Sequence, residues 1–353
     1  MADLKLLKEL TELRGMSGYE KDVRVYIENE FKNLNVEIAK DNIGGIAGIS
    51  KGNGPKILIA GHMDEIGLIV TRITEDGYLK FHTVGGWWSQ VLLAQQFDVT
   101  TSTGKVYRAV MGSKAPHLLT EAERSHPTSI ESMFLDLGCS SKEQVAELGI
   151  KVGDMITPAI DFQELAGGDL ILAKAFDNRA GCGVVVEVLK NFEGVEHNNE
   201  IVGVATVQEE VGLRGARTMG QKVNPDITFA LDVTIATDTP GLSNTCKCGK
   251  GPAIMLMDSS MIGHRGLREF VINICDELEI PYQIDYLARG GTDAGQIHLA
   301  HDGCPGMALC IPARYIHSHT SVISKSDYFN TIRLLTEVIK RLDEEAYKKI
   351  LEA

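Results

Sequence analysis

The chain is poor in aromatic residues. Phe, Trp and Tyr make up 6% of its 353 residues, and its two tryptophans, Trp87 and Trp88, stand side by side. A carbohydrate cleft usually offers more stacking platforms, so Gly85-Gly-Trp-Trp88 reads as packing rather than sugar binding. Basic residues are also in deficit, with 35 Lys plus Arg against 48 Asp plus Glu, for a formal net charge of −13. Without a basic cluster the chain lacks the electrostatic footprint of a nucleic-acid or membrane-surface partner. No stretch approaches the roughly 20 apolar residues of a membrane span. The start, Met1-Ala-Asp-Leu-Lys5, has none of the regions of a secretory signal, so a cytoplasmic location is expected. Seven dispersed cysteines, an odd number, exclude a disulfide framework. Cys246-Lys-Cys248 is a close pair without a second pair or a nearby His at zinc-site spacing, and it reads as a surface loop.

What the chain does contain is an ordinary folded composition, 44% hydrophobic and 24% charged, over a length that favours two domains. Ser17-Gly-Tyr-Glu20 has the form of a capping box, and Val23, Tyr26, Ile27 and Phe31 follow at helical spacing, which predicts an early helix. Val36–Ile38 and Ile46–Ile49 read as edge strands, and Lys56–Ala60 as a buried central strand ending at Gly61. From 72 to 164 the texture changes to alternating segments such as Tyr78–Val84, Gln96–Thr101 and Lys105–Met111, punctuated by glycine, which predicts an inserted β-rich domain. Beyond it, strands are expected over Ile201–Val207, Ile227–Leu231, Ala253–Met257, Gln283–Leu287 and Met307–Ile311. Helices are expected over Asn178–Leu189, Leu267–Leu278 and, as the last element, Asp327–Leu342. The expected fold is an α/β sandwich built from 1–71 and 165–353, interrupted by 72–164.

Polar residues able to handle metals and protons fall at the ends of these strands, where ligands bind in open α/β sheets. His62-Met-Asp64 puts two side chains on one side of an extended segment, so the carboxylate can orient an imidazole whose other nitrogen meets a metal. A hydrogen-bonded structural His is the commoner reading of that motif alone. Glu209 and Glu210 are adjacent carboxylates that repel each other. A cation would relieve them, with one ligating and the other accepting a proton from water, and a solvated acidic turn is the alternative. Asp177 stands at a helix start, where it could be an N-cap. Asp232 could form a turn, and His317 competes with His298, His301 and His319. Together two His, two Asp and two Glu form a hard N and O donor set suited to Zn, Co or Mn. Two divalent ions would be neutralised by Asp177, Glu210, Asp232 and one hydroxide. Gly290-Gly-Thr-Asp-Ala294 lacks the Lys and spacing of a phosphate loop and reads as a tight turn.

Six ordered motifs resemble the tetrahedral (TET) dinuclear metallo-aminopeptidases: Gly61-His-Met-Asp-Glu65, Lys174-Ala-Phe-Asp-Asn-Arg179, Val207-Gln-Glu-Glu-Val-Gly-Leu-Arg-Gly215, Asp232-Val-Thr, Gly290-Gly-Thr-Asp-Ala294 and Arg314-Tyr-Ile-His-Ser318. That group includes glutamyl and deblocking aminopeptidases and CelM-like proteins once labelled endoglucanases. The resemblance implies a zinc-peptidase-like α/β domain with an inserted PDZ-like dimerisation domain, and dodecamers built from dimers. It implies two divalent metal ions per subunit, with His62 and Asp232 on one, Glu210 and His317 on the other, and Asp177 bridging. Glu209 would be the general base for a metal-bridging water, and Asp64 would orient His62. The substrates would be short peptides with a free N-terminus. Phe176 stands where Trp is frequent, and Ile235 and Thr237 stand where other residues often occur. None is a ligand in the pattern, so they bear on substrate fit. Leu-like and Glu/Asp-like preferences both stay open. Other readings are an N-deacylase or glucanase-labelled hydrolase, or a non-catalytic assembly protein. A glycosidase would want two carboxylates at a set separation without two His.

Overall fold

Lys56-Ile-Leu-Ile-Ala-Gly-His62 is the strand around which the main sheet is organised. In the computed structural model, which describes residues 3–353, it lies parallel to Glu200–Thr206 on one side and Ile227–Ile235 on the other. Ile227–Ile235 in turn pairs in parallel with Gly306–Arg314. A parallel strand covered on both faces carries apolar residues at every position. Ile57 and Ile59 face a layer containing the helices Phe176–Asn191, Arg265–Glu277 and Lys325–Arg341. Leu58 and Ala60, one residue out of phase, face Ala216 and Met219 of the helix Arg214–Val223. Gly61 allows the closest of these approaches, since a Cβ there would lie 2.6 Å from the Gly181 carbonyl carbon.

Antiparallel strands extend the sheet on both sides. Ile46–Ser50 pairs with both Glu200–Thr206 and Glu37–Lys40, so it is interior rather than an edge strand, and only Glu37–Lys40 closes that side. On the other side come Ser321–Ser324, Leu170–Ala173 and Gln163–Glu164. The insertion closes into a six-stranded barrel of Gly67–Ile73, Leu79–Val84, Gln96–Thr100, Val106–Gly112, Phe134–Asp136 and Met155–Pro158, around its own core of Leu68, Val70, Leu79, Phe97, Val99 and Leu135. The expected boundary at 72 falls inside the first barrel strand. Trp87 packs against Phe97 and donates its indole N–H to the Gly67 carbonyl at 3.0 Å. Trp88 is exposed, so the packing role holds for one tryptophan of the pair.

Two local expectations change. The early helix spans Lys21–Asn33 and buries Val23, Ile27 and Phe31, but no side chain caps it. Ser17 instead donates its hydroxyl to Asp64 at 2.6 Å, and Glu20 accepts the amides of Gly18 and Gln208. Tertiary partners have taken both halves of the expected capping box. The helix Lys325–Arg341 is not the last element, because Leu342 leaves the helical region and Asp343 caps a further helix, Glu344–Leu351. Cys246 is buried rather than on the surface. Among the described residues no helix is long and apolar enough to cross a membrane.

Arg179 ties the N-terminal segment to the central strand. Its guanidinium is fully buried and donates to the carbonyls of Leu10, Leu13, Gly15 and Met63. Beside it, buried Lys174 donates to the Leu13 carbonyl at 2.6 Å and to Glu65 at 2.7 Å. Burial pulls its ammonium down to about 8 even though Glu65 opposes the shift. Removing one member of such a network strands its buried partners. Arg179→Ala should therefore lower stability by about 3 to 5 kcal/mol, read from the urea unfolding midpoint. A loss below about 1 kcal/mol, the size of a surface pair, would contradict this role.

Candidate metal centre and active site

His62 is the last residue of the central strand, and its side chain is buried. Its Nδ1 is 2.9 Å from the Asp64 carbonyl oxygen. A carbonyl only accepts, so Nδ1 carries a proton, and Nε2 is the nitrogen left to meet either a cation or, when protonated, a carboxylate. Nε2 lies 3.0 Å from Asp177 Oδ1 and 3.9 Å from both Glu209 Oε2 and Asp232 Oδ1. On the far side of Asp177, its Oδ2 lies 3.5 Å from His317 Nε2, which is also 3.5 Å from Glu210 Oε2.

Asp177 is free to do this because it stands outside the regular helix. Its backbone and that of Asn178 are non-helical, and Asn178 Oδ1 accepts the Gly181 amide at 3.0 Å. Asn178 therefore caps the helix and Asp177 does not. Asp232 lies within its strand, not beyond it, since pairing with Gly306–Arg314 continues to Ile235. The competing histidines are engaged elsewhere: His298 with the Ala294 carbonyl, His301 with Gln221 and His319 with Gln96. Among the described residues, three sets bring one donor atom each within 4.8 Å of one another: His62, Asp177 and Asp232; Asp177, Glu210 and His317; and His62, Glu209 and Glu210.

Burial, and then the charges of their neighbours, push the carboxyls of Glu209, Glu210 and Asp232 well above the usual range. For His62 burial favours the neutral ring, but Glu209, Asp177 and Asp64 outweigh it and hold its proton affinity well above normal. Asp177 is shifted down against its burial, because His62 and His317 both favour its anion. Crowded buried carboxylates with two imidazoles are a donor set whose charge a divalent cation matches. These residues fit Zn, Co or Mn. They open onto a narrow cleft, where Asp177, Glu210 and His317 meet an apolar wall that includes Ile66, Val233, Ala313 and Ile316.

The model of the M42 glutamyl aminopeptidase family matches residues 44–334. The chain belongs to that family. It is therefore a peptide hydrolase, an aminopeptidase. It is 36% identical over 350 residues to the glutamyl aminopeptidase of Lactococcus lactis subsp. cremoris (strain MG1363), covering 98% of each chain. Among solved structures it resembles a TET aminopeptidase from the marine sediment archaeon Thaumarchaeota archaeon SCGC AB-539-E09, at 44% identity and TM-score 0.95, over 98% of this chain and 99% of that one. It also resembles the Pyrococcus horikoshii TET1 peptidase, described as assembling into a tetrahedron or a large octahedral shell, at 32% identity and TM-score 0.87, over 96% and 99% of the two chains.

Beyond the donors, the amides of the Gln208–Glu210 turn are held by carboxylates from elsewhere. Glu20 accepts the Gln208 amide at 3.1 Å, while Asp64 accepts those of Glu209 and Glu210 at 3.0 and 3.2 Å. The carboxylate of Asp64 thus secures the acidic pair. Its main-chain carbonyl makes the shorter contact to His62 Nδ1, which lies 3.5 Å from Oδ1. Glu20 escaped the sequence reading because a local motif explained it, and no spacing links residue 20 to residue 208. Asp64→Ala should release two amides at once. We expect zinc affinity to fall about 10- to 100-fold in calorimetric titration, and unchanged affinity would show that the turn holds itself.

Proposed function

We propose that the protein removes N-terminal residues from short peptides at a pair of divalent cations. His62 and Asp232 hold one, Glu210 and His317 the other, and Asp177 serves both. The observation that carries this reading is the division of Asp177, with Oδ1 toward His62 and Oδ2 toward His317. When bound, such ions polarise the scissile carbonyl and make water acidic enough to be a nucleophile near neutral pH.

Glu209 is the proton carrier. It lies beside His62 but outside both donor sets that contain Asp177. Its buried carboxyl has a raised proton affinity, which suits a group that takes a proton from the attacking water and returns it to the leaving amine. Asp64 keeps that carboxylate aimed by holding its backbone. Glu209→Gln should lower kcat about 10²- to 10⁴-fold with both zinc equivalents retained in calorimetric titration. Equal loss of zinc would reassign Glu209 as a ligand.

The cleft supports a neutral side chain at the N-terminal position. Among the described residues no Lys or Arg lines it to receive an acidic residue, and Glu65 in its lining is already paired with Lys174. We expect kcat/KM for Leu-p-nitroanilide to exceed that for the Glu and Lys compounds by about 10- to 100-fold, the cost of an unpaired buried polar group. An N-acetylated Leu control should be inert. A preference for Glu would contradict this reading of the cleft, and turnover of the blocked compound would point to a deacylase or endopeptidase.

Assembly into a homo-oligomer of dimers, with the barrel as dimerisation domain, fits the shells formed by the Pyrococcus horikoshii relative. Exposed Met257, Ile262, Ile284 and Tyr286 gather around the strand Gln283–Asp285, which pairs on one side only, and give a second copy an apolar surface. A cytoplasmic location fits the seven free cysteines.

A further inference from the structure

We propose that the Gly85-Gly86 turn of the barrel positions His317, so that the cation position of His317 and Glu210 is complete only while the barrel is seated against the main sheet. This rests on the ligand role proposed above for His317. The two imidazoles are oriented in different ways. His62 is buried, and its Nδ1 meets a carbonyl two residues along its own chain. His317 sits in a loop with its side chain 42% exposed and a left-handed backbone, φ 55°. Packing alone holds such a ring weakly, and its Nδ1 bonds to the Gly86 carbonyl at 2.9 Å, across the joint between the two domains. That acceptor keeps the proton on Nδ1 and leaves the Nε2 lone pair facing Asp177 and Glu210.

The approach is possible because both residues lack a side chain. A Cβ on Gly86 would lie 2.9 Å from His317 Nδ1. At Gly85, where φ is +79°, a Cβ would lie 2.5 Å from Ile66 Cγ2 and 3.3 Å from Glu210 Oε2. The turn is fixed from behind by Trp87, whose indole bonds Gly67 and packs on Phe97 of the barrel core. The barrel is fixed to the rest by Arg14, which donates to Asp98 at 2.7 Å, and by the Tyr19 hydroxyl on the Gly153 carbonyl. The inserted domain therefore supplies part of the catalytic geometry.

The test is zinc titration of the metal-free, full-length protein by calorimetry, comparing Gly86→Ala with Gly167→Ala, a position where a Cβ meets no atom within 4 Å. Gly86→Ala should keep one tight equivalent and weaken the other about 10- to 100-fold, with melting temperature and Gly167→Ala both unchanged. The visible spectrum of the cobalt form should lose the contribution of one ion, and excess metal should restore turnover. If Gly86→Ala does not fold, Trp87→Phe, which removes the indole hydrogen bond behind the turn, should weaken the same equivalent. Retention of both equivalents at wild-type affinity, or parallel loss of both with the melting temperature, would overturn the proposal. His317→Ala separates the two levels. If it keeps both equivalents, the ligand assignment itself fails; if it loses one while Gly86→Ala keeps two, only the positioning role fails.

Discussion

Like charges are forced together at the end of the central sheet, and the surrounding structure is arranged around that constraint. Asp64, Asp177, Glu209, Glu210 and Asp232 share one crevice in which burial raises the cost of each charge and each charge raises the cost of the next. Two means of offsetting that repulsion are visible, and a third is implied. Amides of the Gln208–Glu210 turn and the Ser17 hydroxyl are spent on Glu20 and Asp64. Two imidazoles stand between the carboxylates, and the remaining charge calls for divalent cations. Rigidity follows from the same need, because a cluster that could relax apart would not keep ligand geometry.

That rigidity comes from close contacts between backbone and buried polar groups. Gly61 lets the helix carrying Asp177 pass directly over the strand carrying His62. Arg179, on the same helix, gathers the carbonyls of the N-terminal segment and of Met63. One strand, one helix and the chain's beginning are thus fixed as a unit, and His62, Asp64 and Asp177 move together or not at all. His317 is outside that unit, and its ring is held from the barrel.

Much of this could be read from the sequence, for identifiable reasons. The unbroken run Lys56–Ala60 marks a doubly covered strand, and chemistry-bearing residues at successive strand ends converge once those strands are parallel neighbours. Motif order carried the fold class and the family. Composition and spacing did not separate His298, His301, His317 and His319; the family resemblance implied His317, and in the fold their different partners tell them apart. Glu20 was legible only as a helix cap, and Asp64 only as a partner of the His62 ring. Their contacts to the Gln208–Glu210 turn join segments with no shared periodicity. The Gly86 carbonyl left no side-chain signature at all. The end of the Ile227–Ile235 strand was missed because a polar Asp232 looks like a terminus until its neighbour continues the ladder.

The proposed sharing of Asp177 between two cation positions is the point on which the proposed chemistry turns, and zinc stoichiometry measures it directly. Metal-free wild-type protein and Asp177→Ala would be titrated with zinc under identical conditions, with circular dichroism to verify folding. We expect two tight equivalents for the wild type and neither for the variant, because both positions lose a donor together. A variant that keeps one equivalent at wild-type affinity would place Asp177 on a single ion, and a wild type that binds only one would contradict a paired-cation site.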